Sequence, residues 1–448
     1  MSTNTLSLFG DRRQDIVEAT DFTRLSLAAH GADHDHWVVA WSGGKDSTCA
    51  LTVTLYLVAA GLVAAPKRIT VLYADTRMEL VPLAAGAQAV MARIREIAAS
   101  EAWQTTGCVL TVETVLAPLE KRFFPYILGR GVPPPNNQTL RWCTPALKVV
   151  PMQARVEREF FELNPHLVGV PKAEWPADAK RPLMITGVRL GESAIRDGRI
   201  AMSCSKNGAE CGQGWYQHTI PGTLTATLAP ILHWRVCRVW DWLRLFAPLP
   251  QYGAWDTAML AEAYGDSEAE EINARTGCTG CPLATADTAL DALIDRYPDR
   301  WGYLHPLRLL RPLYRELRLP QHRHRKHGET NQDGRPSASP YRMGPLTMEA
   351  RRWAFTRVIE IQEAVNWGAL QHGRPPVDLI DAEEAAFIQD CWARGVYPNK
   401  WTAGDALATD AYDEVFADGS VQATLFPAAP PVRDAAPIYS LPVLRRAA

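Results

Sequence analysis

The amino-acid sequence predicts an α/β protein built around a parallel sheet, with a helical extension toward its C-terminal end. Apolar segments of strand length alternate with longer helical segments from residue 36 onward, a pattern typical of βαβ units. A Ser-Gly-Gly turn joins the first strand to the first helix, which is the usual form of an anion site in this class of fold. After residue 346 only helical periodicity remains.

The individual elements follow in order along the chain. Residues 36–41, HWVVAW, predict a buried strand, and residues 47–61 predict a long apolar helix. A second helix is expected at 84–100, and further strands are expected at 68–74, 108–112, 182–187 and 228–232. A helix that starts near Thr347 would place on one face Ala354, Val358, Ile361 and Val365.

Composition and charge exclude some classes of protein. The chain has 448 residues, 47% of them hydrophobic, and a formal net charge of −2, so any contact with nucleic acid must come from a local basic patch. The first thirty residues have no continuous apolar core, which argues against a secretory signal and favours a cytoplasmic protein. The apolar stretch 49–65 is short for a bilayer span, so we expect a buried helix and no membrane partner.

The turn after the first strand predicts a phosphate site, Ser42-Gly43-Gly44-Lys45-Asp46-Ser47. Its glycines let the backbone approach an anion, and the helix that follows directs free N–H groups at it. A Walker A loop would need Ser or Thr where this chain has Asp46 and a glycine where it has Val39, so phosphoryl transfer of the Walker type is disfavoured. The alternative, a tight turn without a ligand, explains the two glycines but not the four polar side chains.

This hexapeptide resembles the PP-loop of the adenine-nucleotide α-hydrolase superfamily, which includes PAPS and APS reductases, tRNA thiolation enzymes and DndC proteins. Later segments resemble the PAPS-reductase branch, in the same order: Asp75-Thr76, Arg141-Trp142-Cys143-Thr144 with Leu147-Lys148, Gly187-Val188-Arg189 with Glu192-Ser193 and Arg196, and Pro230-Ile231 through Val239-Trp240. The resemblance spans residues 37 to 285 or so. It implies a PP-loop domain that binds ATP and Mg²⁺ and adenylates an oxygen of its substrate, releasing pyrophosphate.

The resemblance also implies roles for individual residues. ATP is expected on Ser42, Gly43, Gly44, Lys45, Asp46, Ser47 and Asp75, and catalysis is expected from Lys45, Asp46, Arg189 and Arg196. Guanidinium groups suit phosphate oxygens and would stabilise charge on the leaving pyrophosphate, although either arginine has a plain surface position as its alternative. Asp46 would help to hold Mg²⁺ or would simply start the helix. Asp75 ends a strand at the edge where parallel sheets bind ligands.

Cysteines predict a second chemical site. Cys278-x-x-Cys281 resembles the closing pair of iron–sulfur members of the branch, and Cys143 stands where those proteins have an earlier ligand. A [4Fe–4S] cluster normally takes four thiolates, so a fourth ligand is expected from Cys204, which we prefer, or from Cys211. The spacing alone leaves open a structural Zn²⁺ on the same thiolates. The remaining cysteines are expected in the core, among them Cys49, Cys108 and Cys237.

The far end of the chain resembles the helical region of DndC proteins, with Gly344-Pro345-Leu346-Thr347, Glu360-Ile361-Gln362-Glu363 and Trp392. We therefore expect four regions: a PP-loop ATP pyrophosphatase domain with the iron–sulfur site at 1–300, a basic arm or linker at 301–345, a helical region at 346–400 and a loosely ordered tail at 401–448. The expected DNA contact is the arginine row of that arm, whose alternative is a solvated helix face flanking the core: Arg308, Arg311, Arg315 and Arg318.

DndC-like activity implies phosphorothioation of DNA, in which sulfur from a cysteine desulfurase replaces a non-bridging phosphate oxygen with the help of other phosphorothioation proteins. Two other activities remain open within the superfamily, reduction of PAPS or APS and thiolation of tRNA. Glu210-Cys211-Gly212 has the letters of a reductase motif, but it lies in mid-chain rather than near the end. A further alternative is an inactive nucleotide fold that acts as a scaffold, against which the intact 42–47 loop speaks.

Overall fold

A six-stranded sheet organises the chain in the computed structural model, which describes residues 15–136, 141–176, 178–191, 194–206, 214–218, 223–265, 277–284, 286–325, 343–410, 414–415 and 421–422. Its strands are β1 (His36–Trp41), β2 (Arg68–Asp75), β3 (Val109–Leu116), β4 (Leu183–Ile185), β5 (Trp215–Gln217) and β6 (Ala226–Ala229). They lie in the order β3-β2-β1-β4-β6-β5, all parallel except β5 at the edge. The predicted α/β class and parallel sheet are confirmed.

Helices cover the sheet and form the C-terminal region. They are α1 (Ile16–Gly31), α2 (Lys45–Ala59), α3 (Val81–Ala99), α4 (Glu101–Gln104), α5 (Val150–Leu163), α6 (Ala194–Lys206), α7 (Val236–Asp241), α8 (Ala258–Ala263), α9 (Thr288–Arg296), α10 (Pro298–Trp301), α11 (Leu310–Glu316), α12 (Met348–Gln371) and α13 (Ala382–Ala393). Two small antiparallel ladders pair β7 (Arg323–Arg325) with β8 (Met343–Leu346) and β9 (Glu414–Val415) with β10 (Val421–Gln422). Short 3₁₀ and π turns cover Leu119–Lys121, Pro125–Gly129, Pro145–Val149, Pro165–Leu167, Lys172–Glu174, Trp242–Phe246, Pro250–Tyr252, Gly302–Leu309 and Pro320–His322.

The central elements are apolar on more than one face because the sheet is covered on both sides. Strand β2 buries its six inner residues in succession, as expected of a parallel strand between two layers of helices. Helix α2 buries 11 of its 15 residues. The apolar stretch after the Gly-rich turn is therefore a core helix, as predicted. Among the described residues, no helix has both the length and the apolarity that crossing a bilayer requires.

The topology places a crevice at the carboxyl end of β1. This strand lies between β2 and β4, and the order of the strands along the chain reverses direction there. Trp41 pairs with Tyr73 and Val39 pairs with Ile185, so the loops that follow β1, β2 and β4 leave the same edge of the sheet. Such a switch point is where open parallel sheets bind ligands.

The C-terminal helices pack on the same hydrophobic core as the sheet. Helix α12 begins after Thr347, whose hydroxyl accepts a hydrogen bond from the Ala350 backbone at 3.1 Å, so the predicted helix start is confirmed. Its four predicted core positions are all buried. Arg351, which is fully buried, donates to the carbonyl oxygens of Gly129 at 3.0 Å and Val396 at 2.7 Å and thereby ties α12 to the loop after β3.

The segment expected to be an arm or linker is packed over its described part. Residues 302–317 form helical turns that bury a row of leucines in the main core: Leu304, Leu307, Leu310, Leu313 and Leu317. Strand β7 then pairs with β8 across residues 326–342, which lie outside the described part of the chain. The expected loose tail at 401–448 is described only to residue 410 and at two short strands.

Candidate functional site

The loop after β1 has the backbone of an anion cradle. Gly43 has a φ of +73°, in the left-handed region that favours glycine, and Gly44 is the N-cap of α2. The N-cap residue has no side chain to cap the helix, and the Lys45 N–H of the first turn donates to the Tyr264 hydroxyl at 3.4 Å, so an anion bound here would compete with Tyr264 for that donor. The Ser42 and Ser47 hydroxyls lie 3.1 Å apart, and the Ser47 hydroxyl donates to the Gly44 carbonyl at 3.1 Å, which closes the loop on itself.

Charged side chains from two loops meet at the start of α2. Asp46 lies between two cations, with Oδ2 at 3.0 Å from Lys45 Nζ and Oδ1 at 2.6 Å from Arg189 Nε. Both cations are buried, and Arg189 also donates to the Trp234 carbonyl at 3.1 Å. The structure thus brings together three of the four residues predicted to be catalytic. It also engages both carboxylate oxygens of Asp46, so a Mg²⁺ ligand at this position requires one of the two ion pairs to open.

Gly187 explains why the loop after β4 approaches α2 so closely. A Cβ atom at this position would lie 2.5 Å from the Ser47 backbone nitrogen and 2.6 Å from the Asp46 carbonyl carbon. Both atoms belong to the first turn of the helix and cannot turn aside as a flexible side chain would. The glycine therefore allows Arg189, two residues later, to reach Asp46.

We expect Gly187→Ala to push the two loops apart, lowering the free energy of unfolding by about 1–3 kcal/mol as in other overpacked sites and weakening nucleotide binding. The matched control is Gly198→Ala in α6, where a Cβ would meet no atom within 4 Å. Chemical denaturation and equilibrium binding of ATP measure the two effects. Wild-type stability and ATP affinity in Gly187→Ala would show that the close approach is not required.

The loop after β2 forms the second wall of the crevice. Asp75 ends the strand and accepts a hydrogen bond from the Arg77 backbone at 2.8 Å. Trp41 pairs with Tyr73, so Asp75 and the phosphate loop both lie at the carboxyl edge of the sheet, after neighbouring strands. Thr76 donates its hydroxyl to Glu79 Oε1 at 2.7 Å, and Lys148 Nζ lies 3.7 Å from the same oxygen. Burial raises the pKa of the Glu79 carboxyl, against the opposing effects of Lys148 and Thr76.

The Cys-x-x-Cys loop is bonded directly to this wall. The Thr279 backbone donates to the Met78 carbonyl at 2.6 Å, and its hydroxyl donates to the Glu79 carbonyl at 3.2 Å. Burial raises the pKa of the Cys278 thiol to about 12, Lys148 lowers it, and Glu79, Cys281 and Cys143 raise it further. The three predicted cysteines are therefore close enough to influence one another, and a metal that binds them must displace thiol protons.

The distances between candidate ligand atoms single out a different group of side chains. Among the described residues, only one set of three candidate ligands has all its ligand atoms within 4.8 Å of one another, and it contains no cysteine: His36, Glu159 and Glu162. A tetrahedral zinc with Zn–S bonds of about 2.3 Å would hold its sulfurs roughly 3.8 Å apart. Cys143, Cys278 and Cys281 therefore do not all lie within 4.8 Å of one another, and the choice between zinc and an iron–sulfur cluster stays a prediction.

The set of His36, Glu159 and Glu162 is an ion-pair network rather than a second metal centre. Glu159 is fully buried and accepts hydrogen bonds from Thr70 at 2.9 Å and Arg155 at 3.0 Å, with His36 Nδ1 at 3.1 Å. Arg68 bonds Glu162 and lies 3.6 Å from Glu159. Two guanidinium groups already balance the carboxylates, so these side chains stabilise the start of β1 and β2.

Three predicted site residues are described only as backbone or not at all. Helix α6 contains Arg196 and Cys204, but their side chains are not among those described, and Cys211 lies wholly outside the described residues. The choice of a fourth thiolate therefore stays a prediction. Of the cysteines expected in the core, Cys49 and Cys108 are buried, whereas Cys237 is only half-buried.

The arginine row at 308–318 does not form the exposed surface predicted for it. Arg311 is buried and bonds the Ala284 carbonyl, beside the cysteine loop. Arg308 pairs with Asp291 at 2.7 Å, and Arg318 donates to the carbonyl oxygens of Pro135 at 2.7 Å and Pro282 at 2.8 Å. Only Arg315 of the four is exposed. The four arginines therefore do not form one continuous exposed surface, and the predicted contact with DNA stays a prediction.

Tyr264 is a site residue that the sequence did not indicate. Its hydroxyl lies 3.4 Å from the Lys45 backbone nitrogen, beside the N–H groups expected to bind phosphate, and its ring centroid is 5.0 Å from Lys45 Nζ. Trp240 supports the ring in an edge contact at 5.4 Å. No motif or residue spacing in the sequence marks this half-buried tyrosine, at the end of α8, as part of the site. The Thr76-x-x-Glu79 spacing, in contrast, marks a side-chain contact that sequence reasoning missed.

No family model matches the chain, and no curated protein matches it either. The residues themselves and their geometry therefore have to support any function.

Proposed function

We propose that this protein is a PP-loop ATP pyrophosphatase that adenylates a substrate oxygen for sulfur insertion, with the DNA backbone as its substrate. The observation that supports this best is the joining of two chemistries at one edge of the sheet. The loop after β2 leaves the sheet at the same edge as the phosphate cradle and accepts the hydrogen bond of Thr279, which lies between Cys278 and Cys281. A cradle alone would fit many nucleotide-binding proteins, but a cradle held against a cysteine loop favours sulfur chemistry.

The proposed reaction breaks the bond between the α- and β-phosphates of ATP. The substrate oxygen attacks the α-phosphorus, and pyrophosphate leaves with the electron pair of the broken bond. Free N–H groups of α2, Lys45 and Arg189 would bind the phosphates and stabilise the charge that develops on the pyrophosphate. The terminal sulfur of a persulfide from a cysteine desulfurase then attacks the activated DNA phosphorus, and AMP departs with the original oxygen. A thiol, as reductant, cleaves the remaining S–S bond and leaves as a disulfide, so that one sulfur stays on the phosphorus as the phosphorothioate.

Residues of this chain would hold two further groups, a Mg²⁺ ion and a [4Fe–4S] cluster. Asp75 has one oxygen bonded to the Arg77 backbone and stands beside the cradle, so it is better placed than the doubly paired Asp46 to bind Mg²⁺, which would neutralise phosphate charge. Cys143, Cys278 and Cys281, with Cys204 or Cys211, would hold the [4Fe–4S] cluster. Glu79 and Lys148 lie between the two groups and would set the local charge.

The test compares substrates on anaerobically purified protein. We expect AMP and pyrophosphate from ATP, with release accelerated by DNA more than by RNA or APS, because the activated oxygen belongs to the DNA backbone. Pyrophosphate and AMP are quantified separately from ADP and inorganic phosphate. ADP as the product would contradict the PP-loop assignment. If the protein turns over APS or PAPS with a thiol donor and DNA has no effect, its substrate is that of a reductase and not DNA.

A further inference from the structure

A cluster of two cations and two aromatic rings lies beside the proposed site, and we call it the Tyr126 patch. Lys121 Nζ is 4.8 Å from the centroid of the Tyr126 ring, and Arg130 Cζ is 5.6 Å from it. Trp142 meets the same ring edge-on at 4.7 Å. All four residues are half-buried, so part of each side chain faces solvent. The ring fixes both cations without neutralising them, since a cation–π contact removes no charge.

The charge of the Tyr126 patch is not balanced by neighbouring carboxylates. In the described part of the chain, neither Lys121 nor Arg130 has a carboxylate oxygen within 4.0 Å. Arg122, in the same segment, shows the contrast, because it pairs with Glu383 at 2.9 Å and Glu384 at 3.6 Å. Among the described residues, no carboxylate lies within 4.0 Å to neutralise Lys121 or Arg130, as expected of side chains that bind an external anion.

Aromatic packing connects the patch to the cysteine loop. Trp142 directly precedes Cys143 and stacks on Phe123 at 5.8 Å. Phe123 contacts the Tyr314 ring at 5.4 Å, and that ring packs against Gly280, between Cys278 and Cys281. The segment that supplies the patch follows β3, so it leaves the sheet at the same edge as the phosphate cradle. A chain that crosses the patch therefore comes close to the chemistry.

We propose that the Tyr126 patch, and not the arginine row, binds the phosphodiester backbone of a nucleic acid and leads it toward the site. The inference rests on the proposed function, in that the bound polyanion is the substrate to be activated. Arg130 offers a planar fork for phosphate oxygens and Lys121 offers a point charge. Trp142 contributes its ring only, because its indole N–H already donates to the Pro133 carbonyl at 3.0 Å.

The test uses the full-length protein and a short labelled DNA duplex, with binding followed by fluorescence anisotropy between about 50 and 200 mM salt. Each phosphate contact contributes a slope of about −0.9 in log K against log salt, so Lys121→Gln with Arg130→Gln should flatten the slope by roughly 1.8. Tyr126→Leu keeps both positive charges but removes the ring that holds them in position. We therefore expect weaker DNA binding at every salt concentration, with the slope unchanged.

The matched control removes two cations from the opposite edge of the sheet. Lys67 and Lys180 are exposed and both pair with Asp35, which directly precedes β1. Lys67→Gln with Lys180→Gln changes the net charge by the same amount, and we expect a wild-type slope. If this control flattens the slope of log K against log salt equally, the effect is one of net charge, and the proposal that the Tyr126 patch binds DNA is wrong.

Pyrophosphate release from ATP without DNA separates failure of the patch from failure of the proposed function. We expect the patch variants to keep this basal release. If wild type binds DNA with a slope that Lys121→Gln with Arg130→Gln leaves unchanged, the patch is wrong and the proposed function stands. If wild type binds no duplex but releases pyrophosphate, both the patch and the DNA substrate are wrong. Binding of an acidic polypeptide in place of DNA would likewise overturn the inference.

Discussion

Lys45→Ala is expected to lower pyrophosphate release from ATP by roughly a hundredfold or more, the scale seen when one donor to a developing charge is removed. Lys45 is the first residue of α2, and its ammonium group lies 3.0 Å from Asp46 Oδ2, at the helix end where phosphate oxygens would bind. The fold should survive because Asp46 keeps Arg189 as its partner at 2.6 Å, so no buried charge is left alone. Rates of pyrophosphate release and the thermal unfolding transition measure the two statements.

Lys67→Ala is the matched control for this prediction. Lys67 lies just before β2, at the opposite edge of the sheet, with its side chain 72% exposed and paired with Asp35. Its loss removes the same charge far from the crevice and should leave the rate unchanged. A wild-type rate in Lys45→Ala, or ADP as the product of the wild-type protein, would exclude the proposed role of the loop.

The part of the site that the sequence predicted well is local in the chain. Strand β1 was predicted with its observed bounds, and the phosphate loop follows it without interruption. Six consecutive residues determine a turn with one left-handed glycine and a helix start, whatever the distant structure is. The weak point was strand β5, whose three residues pair with β6 and are too few to show a period.

The arginine row shows what helical spacing leaves undetermined. Spacing places the four side chains on one face of a helix, but it does not say what that face meets. Here the leucines at the intervening positions lie in the core, and Arg311 is buried and donates a hydrogen bond to the Ala284 carbonyl, next to the cysteine loop. Buried arginines are uncommon, so four arginines at helical spacing indicate an exposed face when only the sequence is known.

Contacts between residues far apart in the sequence also fix the loop after β2, at the edge of the sheet proposed to bind the nucleotide. Arg77, two residues after Asp75, has a φ of +61° and bonds Asp381 at the start of α13. Glu384, on the first turn of that helix, lies 3.5 Å from the same guanidinium group. The C-terminal helical region therefore holds the loop that faces the phosphate cradle. No pattern within either segment indicates the pairing, because each charge on its own is typical of a solvated surface.

Cys278→Ser or Cys281→Ser is expected to abolish bound iron and the brown colour of anaerobically prepared protein, since a hydroxyl is a poor substitute for a soft thiolate. The two residues flank Thr279, whose backbone fixes the loop to Met78, and that hydrogen bond does not depend on either sulfur. Loss of iron should therefore occur without loss of the fold. Metal analysis of each variant, with visible absorbance, measures the result.

Cys237→Ser is the control for these variants, because Cys237 is half-buried in α7 and belongs to no predicted ligand set, so it should retain iron in full. Cys204→Ser and Cys211→Ser, compared in the same way, identify the fourth ligand as the one whose loss removes the cluster. Stoichiometric zinc without iron in the wild-type protein, or full iron in both Cys278→Ser and Cys281→Ser, would contradict the iron–sulfur assignment and leave the cysteine loop as a structural support for the nucleotide edge.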